Sequence, residues 1–239
     1  MRGRAAGERP RLLDLFCGAG GAGMGYHRAG FDVTGVDVRP MPRYPFAFIQ
    51  ADALEYVTEH GHSFDAIHAS PPCQAYTSLQ ALYQHVERAD LLAPTRDALI
   101  EIGRPWVIEN VIGAPIHSGV YLCGTMFDGL RVYRHRWFET PFLIFQPFHP
   151  RHTMPAYAHR APDGRSRKEI YMDGDSFASV TGHIGVYAGP GMGIDWMNGA
   201  ELSQAIPPAY TKWVGTHLLA ALEPAMTAAP AGSEEGARV

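Results

Sequence analysis

The chain has 239 residues, of which 46% are hydrophobic and 18% charged, with a formal net charge of −4. These values suit one sizeable core and exclude both a disordered protein and one coated in basic charge. No apolar run reaches the roughly 18 residues of a membrane helix. Cys17, Cys73 and Cys123 are odd in number and lack metal-ligand spacing. No disulfide framework and no metal are therefore expected, and a reducing cytoplasm is the expected setting.

Residues 1–10 carry Arg2, Arg4 and Arg9 without an apolar core behind them, so they do not read as a secretory signal. Residues 11–16 read as a buried strand. Gly18-Ala19-Gly20-Gly21-Ala22-Gly23 follows, then a helix to Ala29 closed by Gly30. Residues 31–37 form a second strand ending on Asp37. Asp52 precedes a short helix to about His60, and residues 64–70 form a third strand broken by Pro71-Pro72. Residues 91–102 have helical periodicity, and residues 106–111 form a strand that turns polar at Glu109-Asn110. Regularity is lost over residues 142–195. Helical periodicity returns from Gly199 to Leu222, and an Ala, Gly, Pro and Glu rich tail follows, expected to be disordered.

Alternating strands and helices predict an α/β fold with a mostly parallel, doubly wound sheet. In such sheets ligands bind outside the carboxyl ends of the strands. Asp14, the glycine loop, Asp37, Cys73 and Glu109 all fall at or just past predicted strand ends, which implies one shared site.

A glycine turn between strand and helix lets backbone approach a ligand, and an acid at the next strand end can bind ribose hydroxyls. Asp52 reads equally as a helix N-cap or as an acceptor for an adenine amino group. An isolated cysteine is most often a small buried hydrophobe. Cys73 differs because Pro71-Pro72 stiffen the loop that presents it, so it is a candidate nucleophile; Cys17 and Cys123 read as packing residues. Glu109 follows an apolar run and needs a partner or a raised pKa. Arg134 and Arg136, two residues apart, would face the same way on an extended segment. Residues 131–168 contain eight Lys or Arg against Glu139 and Asp163, with four histidines (135, 149, 152 and 159). This window reads as a solvated, loop-rich surface or as a phosphate-binding face.

Together these residues resemble the cytosine-C5 methyltransferase family. Asp14-Leu15-Phe16-Cys17-Gly18-Ala19-Gly20-Gly21 matches its donor-binding motif, Pro72-Cys73-Gln74 its nucleophile motif, and Glu109-Asn110-Val111 its third signature. Arg134-x-Arg136 matches its arginine motif, with Val132-Tyr133 in place of Gln-Arg. Residues 202–208 resemble its last motif, with Ser203-Gln204 where Gly-Asn is usual. The resemblance implies a Rossmann-like methyltransferase fold and S-adenosylmethionine as cofactor. It implies Cys73, Glu109, Arg134 and Arg136 as catalytic residues. Asp14, Phe16, Gly18, Gly20, Gly21, Asp37, Val38, Asp52, Ala53 and Pro71 would hold the donor, and Pro72, Gln74, Asn110 and Gln204 the substrate.

It further implies a catalytic domain over residues 11–140, a short basic recognition-like region over 141–191, and a return to the catalytic domain over 192–222. DNA is the expected partner. The recognition region is short for base readout, so a short site, a partner, or a smaller substrate such as RNA or a free cytosine nucleotide stay open. A non-catalytic methyltransferase-like binding protein is a second reading, set against the completeness of the site. A nicotinamide-dependent oxidoreductase is a third; its G-x-G-x-x-G spacing is absent.

Overall fold

The computed structural model describes residues 7–72, 90–156, 162–179 and 185–223. In chain order the elements are β1 (Arg11–Leu15), α1 (Gly21–Ala29), β2 (Asp32–Asp37), β3 (Ala47–Gln50), α2 (Ala53–His60), β4 (Ala66–Ala69), α3 (Leu92–Ile102) and β5 (Trp106–Val111). There follow β6 (Val120–Leu122), β7 (Val132–Tyr133), β8 (Arg136–Glu139), α4 (Arg167–Met172), β9 (Ala178–Ser179), α5 (Gly199–Gln204) and α6 (Pro208–Leu222).

Seven strands form one sheet in the order β3-β2-β1-β4-β5-β8-β6. The first five are parallel; β8 runs antiparallel to both β5 and β6. The strand order reverses between β1 and β4, which opens a crevice at their carboxyl ends. Both faces of the sheet are covered, so β1 past Arg11 and all of β4 are buried on both sides, with Asp14 and His68 set among apolar residues. Within β1 the side chains still alternate. Leu12 packs with Tyr26, Phe31, Tyr210, Val214 and Leu218 under α1 and α6. Leu13 and Leu15 pack with Val57, Ile67, Leu99 and Ile108 under α2 and α3.

Helices α1 and α6 touch at backbone level. A Cβ on Gly25 would collide with the Pro208 carbonyl and the Thr211 hydroxyl. Thr211 Oγ1 donates to the Ala22 carbonyl at 2.8 Å. This close docking brings Ala205-Ile206 back over the glycine loop, where the Ile206 carbonyl occupies the space a side chain at Gly21 would need.

Several elements differ from the sequence expectations. β3 has no predicted counterpart: four residues are too few to display a period. The C-terminal helix is two helices, broken where Ile206-Pro207-Pro208 interrupts the chain. Residues 142–195 are less irregular than expected. Ser166 and Glu169 form a reciprocal capping box that starts α4, and β9 pairs in parallel with β7 as a two-stranded sheet. This small lobe has its own core of Val132, Tyr171, Ala178, Met192 and Ile194, shared with Ala19 and Ala205 of the main body. Trp196 Nε1 donates to the Ala19 carbonyl at 2.9 Å, pinning the lobe to the glycine loop. Among the described residues no helix is long and apolar enough to cross a membrane.

Candidate active site

A cavity of about 600 Å³ lies outside the carboxyl ends of β1, β2, β4 and β5. Of the residues singled out from sequence, Asp14, Phe16, Gly18, Gly21, Asp37, Val38, Asp52, Ala53, Pro71, Pro72, Glu109, Arg136 and Gln204 all line it. Cys73 and Gln74 lie outside the described residues, immediately beyond Pro72. Gly20, Asn110 and Arg134 are buried and do not line it.

The glycine loop leaves β1 through Phe16, which adopts φ 55° although it is not glycine. A left-handed side-chain-bearing residue is costly and tends to persist at functional turns. Gly18 and Gly20 also have positive φ, and Gly20 caps α1. The Gly18 N–H donates to Asp37 Oδ2 at 3.1 Å and the Arg39 N–H to Oδ1 at 3.0 Å, so Asp37 ties the loop to the end of β2. Asp52 is an N-cap: its Oδ1 accepts from the N–H groups of Leu54 and Glu55 at 2.9 and 3.1 Å. It also lines the cavity.

Asp14 is fully buried on the α1 side of the sheet. Burial pushes its pKa up to about 8, against the hydrogen bonds of Tyr44 and Gly23 and with the help of the Asp37 charge. Tyr44 donates to its Oδ2 at 3.0 Å, while Oδ1 has no hydrogen-bond partner among the described residues. Cys17 is buried beside it. Desolvation, with the charges of Asp14 and Asp37, pushes its thiol pKa upward, in keeping with a packing role.

Glu109 and Asn110 end β5. Glu109 is buried, and burial raises its pKa against the influence of Arg136, Arg134 and the Ser70 hydroxyl. Arg136 Nε stands 2.9 Å from Glu109 Oε1. The contact is an ion pair without hydrogen-bond alignment, and Oε1 makes no hydrogen bond among the described residues. Asn110 donates through Nδ2 to the Pro71 carbonyl at 3.1 Å and accepts the Val111 N–H at 2.9 Å. Its amide therefore holds the proline loop that leads to Cys73.

Arg134 and Arg136 do not face the same way. Between them the chain passes from β7, in the small sheet, to β8, in the main one, and the two-residue period of a strand is interrupted at 134–135. Arg136 enters the cavity. Arg134 is buried, donates from Nη1 to the Ser203 carbonyl at 3.1 Å, and has its own carbonyl bonded by the Tyr210 hydroxyl at 2.6 Å. It braces α5, whose last residue, Gln204, lines the cavity.

One network had no counterpart in the sequence reading. Tyr26 and His68 are buried and bonded at 3.0 Å, His68 Nε2 lies 2.9 Å from Ser70 Oγ, and Ser70 reaches Glu109. Burial lowers the His68 pKa to about 3, so the ring is neutral. With Glu109 ionised, one tautomer satisfies every link: Tyr26 donates to Nδ1, Nε2–H to Ser70, and Ser70 to Glu109. The available signal was a histidine within the apolar run Ala66-Ile67-His68-Ala69, which requires a partner once buried.

The basic window is not a continuous charged face. Arg131 bonds the carbonyls of Tyr171 and Ser176, and Arg165 pairs with Asp163, Asp173 and Asp175. Arg167 donates to the Tyr187 hydroxyl. Cys123, expected to be a packing residue, is buried, but its Sγ lies 3.4 Å from His152 Nε2.

No protein-family model matches the chain. It is 29% identical over 127 residues to the Type II methyltransferase M.AgeI of Thalassovita gelatinovora, covering 46% of this chain and 29% of that protein. It is 30% identical over 114 residues to the Type II methyltransferase M.HgiDI of Herpetosiphon aurantiacus, covering 42% and 37%. The match thus spans about a third of the length of these relatives. Among solved structures it is similar to the Dnmt2 methyltransferase of S. pombe, with TM-score 0.58 and 12% identity over 90% of this chain and 100% of that one. The methyltransferase EhMeth of Entamoeba histolytica gives TM-score 0.54 and 12% identity over 91% and 100%. The fold is the Rossmann-like fold of these methyltransferases.

Proposed function

We propose that this chain, which resembles the cytosine-C5 methyltransferase family, transfers a methyl group from S-adenosylmethionine to C5 of cytosine, with DNA as the substrate. The observation that carries this reading is the convergence of the glycine loop, Asp37, Asp52, Pro71-Pro72, Glu109 and Arg136 on one cavity.

The donor side fits the proposed cofactor. A cavity of about 600 Å³ lies within the range of small-molecule sites. Each Asp37 oxygen accepts one backbone N–H and retains a lone pair for a ribose hydroxyl. Val38 presents an exposed apolar side chain at the wall beside it, suited to a purine face. Bound there, S-adenosylmethionine supplies an electrophilic methyl group on its sulfonium.

The acceptor side supports covalent activation of the base. C5 of cytosine is a weak nucleophile. Addition of the Cys73 thiolate to C6 forms an S–C6 bond and places electron density on C5. Glu109, whose pKa is raised by burial, is suited to donate a proton to N3 as that charge develops and to accept from the exocyclic amine. Arg136, beside it, suits the O2 edge. After methylation the C5 proton leaves to a base and the S–C6 bond breaks, returning the thiolate. A base in a duplex must first be flipped from the stack. The short recognition-like segment suits a short or relaxed target site.

The test incubates the chain with labelled donor and DNA, RNA, or CMP and dCMP in parallel. Label in DNA supports the full reading; label only in RNA or nucleotides overturns the substrate and leaves the chemistry. Cys73→Ser is expected to abolish transfer while retaining binding of S-adenosylhomocysteine, and normal turnover in that variant overturns the mechanism. An oligonucleotide containing 5-fluorocytosine lacks the C5 proton and is expected to trap a covalent adduct. Donor binding without any adduct favours a non-catalytic binding protein.

A further inference from the structure

Cys123, His135, His149 and His152 come from three stretches of chain and meet beside β8. Cys123 follows β6 and opens a short turn at Gly124–Met126. His135 occupies the two-residue link between β7 and β8, and His149 and His152 lie on the segment after β8, which has neither helix nor strand through residue 156. Their candidate ligand atoms, one sulfur and three imidazole nitrogens, all lie within 4.8 Å of one another.

The spacing suits an ion. Zinc binds sulfur at about 2.3 Å and imidazole nitrogen at about 2.0–2.1 Å, so the edges of its tetrahedron are about 3.3–3.4 Å between nitrogens and about 3.5–3.6 Å between sulfur and nitrogen. In this cluster His135 Nε2 and His149 Nε2 are 3.2 Å apart, and Cys123 Sγ and His152 Nε2 are 3.4 Å apart. Imidazoles gathered only for packing would turn their N–H groups toward carbonyls or carboxylates. Here the nitrogens turn toward each other and toward the thiol. Aromatic rings support the ligands from outside: Tyr133 stacks on His152 at 4.0 Å and 15°, and the Tyr121 ring centroid lies 5.7 Å from that of His149. The Thr125 hydroxyl lies 3.5 Å from the sulfur as a donor.

We propose that Cys123, His135, His149 and His152 form a zinc site. Cys123 binds as thiolate, releasing its proton to solvent, and the three imidazoles bind neutral, leaving a net charge of +1 on the site. A thiolate with imidazoles selects zinc over the hard cations magnesium and calcium. Four protein ligands leave no position for water or substrate, so the ion is structural. It ties the irregular segment after β8 to the edge of the main sheet and holds the 134–135 link. His135 lies between Arg134 and Arg136, so the ion also helps to set the path by which Arg136 enters the cavity. None of this depends on the methyl-transfer reading.

The test uses the full chain, expressed without a polyhistidine tag in zinc-supplemented medium and dialysed. Mass-spectrometric metal analysis is expected to find about one zinc per chain, and chelation to lower Tm. Cobalt in its place is expected to give tetrahedral d–d bands and a sulfur-to-cobalt charge-transfer band. His152 is exposed, so His152→Ala should fold, as judged by circular dichroism, yet lose more than about nine-tenths of its zinc. Cys123→Ser should remove the charge-transfer band. Wild-type chain without zinc and without that band overturns the proposal. So does zinc retained at the wild-type level in both variants.

Discussion

Strand β8 carries a charged residue at each end, and the two ends are treated in opposite ways. At one end Glu139 receives both Nε and Nη2 of Arg96, at 2.7 and 2.8 Å, and also the His117 N–H at 3.2 Å. The two side chains are only 9% and 4% exposed, and the carboxylate is well satisfied. At the other end Arg136 approaches Glu109 to 2.9 Å without making a hydrogen bond, in the wall of an open cavity. The first pair fastens α3 to the sheet. The second is less complete: burial raises the Glu109 pKa, and Oε1 makes no hydrogen bond among the described residues. Identical side-chain types become scaffold or chemistry according to how fully the fold satisfies them.

Substitutions at the two ends should separate these roles. Removing one partner of a well-paired buried ion pair leaves the other charge stranded, so Glu139→Ala is expected to lower unfolding free energy by about 3–5 kcal/mol. Denaturant titration checks this, and a loss below about 1 kcal/mol, the value of a surface pair, would remove the contrast. Glu109→Gln keeps the shape and loses the transferable proton. It is expected to lower kcat about 100-fold, or about 2.7 kcal/mol, while moving stability by less than about 1 kcal/mol. Single-turnover kinetics and thermal melts read the two effects separately.

Asn110→Ala leaves the Pro71 carbonyl without its donor and is expected to cost about 1–3 kcal/mol in denaturant titration, with a fall in kcat as the loop before Cys73 loosens. Asp14 tests the same logic through pH. Its carboxyl has a pKa of about 8 when folded and about 3.9 when unfolded, so between these values the folded state binds more protons. Its contribution favours the folded state at low pH and is lost as pH rises through about 8. Asp14→Asn, fixed in the neutral form, should flatten the decline of stability from pH 5 to 9 by up to about 1.4 kcal/mol per pH unit. An unchanged slope would mean that Asp14 is ionised in the fold.

Legibility differed along the chain for physical reasons. The five elements β1, α1, β2, β4 and β5 could be read from sequence because each buries an apolar run bounded by glycine, proline or an acid. β7 and β9, at two residues each, have no local signature; they exist because Val132 and Ala178 meet across the small lobe. In the site, the glycine loop, Asp37 and Glu109 were legible because strand-end placement implies convergence, whereas Arg136 was indicated only by the resemblance and reaches the same cavity from β8. Arg134 was misjudged because facing was inferred from strand period, and the period stops where the chain changes sheets. His68 and Tyr26 were missed because the network joins residues 42 positions apart.

The sequence by itself determined the parallel sheet, the glycine turn, the proline-stiffened approach to Cys73 and the acids at strand ends, because periodicity, ring constraint and charge act locally. Tertiary structure alone decided which carboxylate is satisfied and which is left open, which arginine enters the cavity and which braces α5. It also turned an odd cysteine and three scattered histidines into one cluster. Those outcomes depend on distances between residues far apart in the chain, and such distances are set by the packing of the whole core rather than by any single segment.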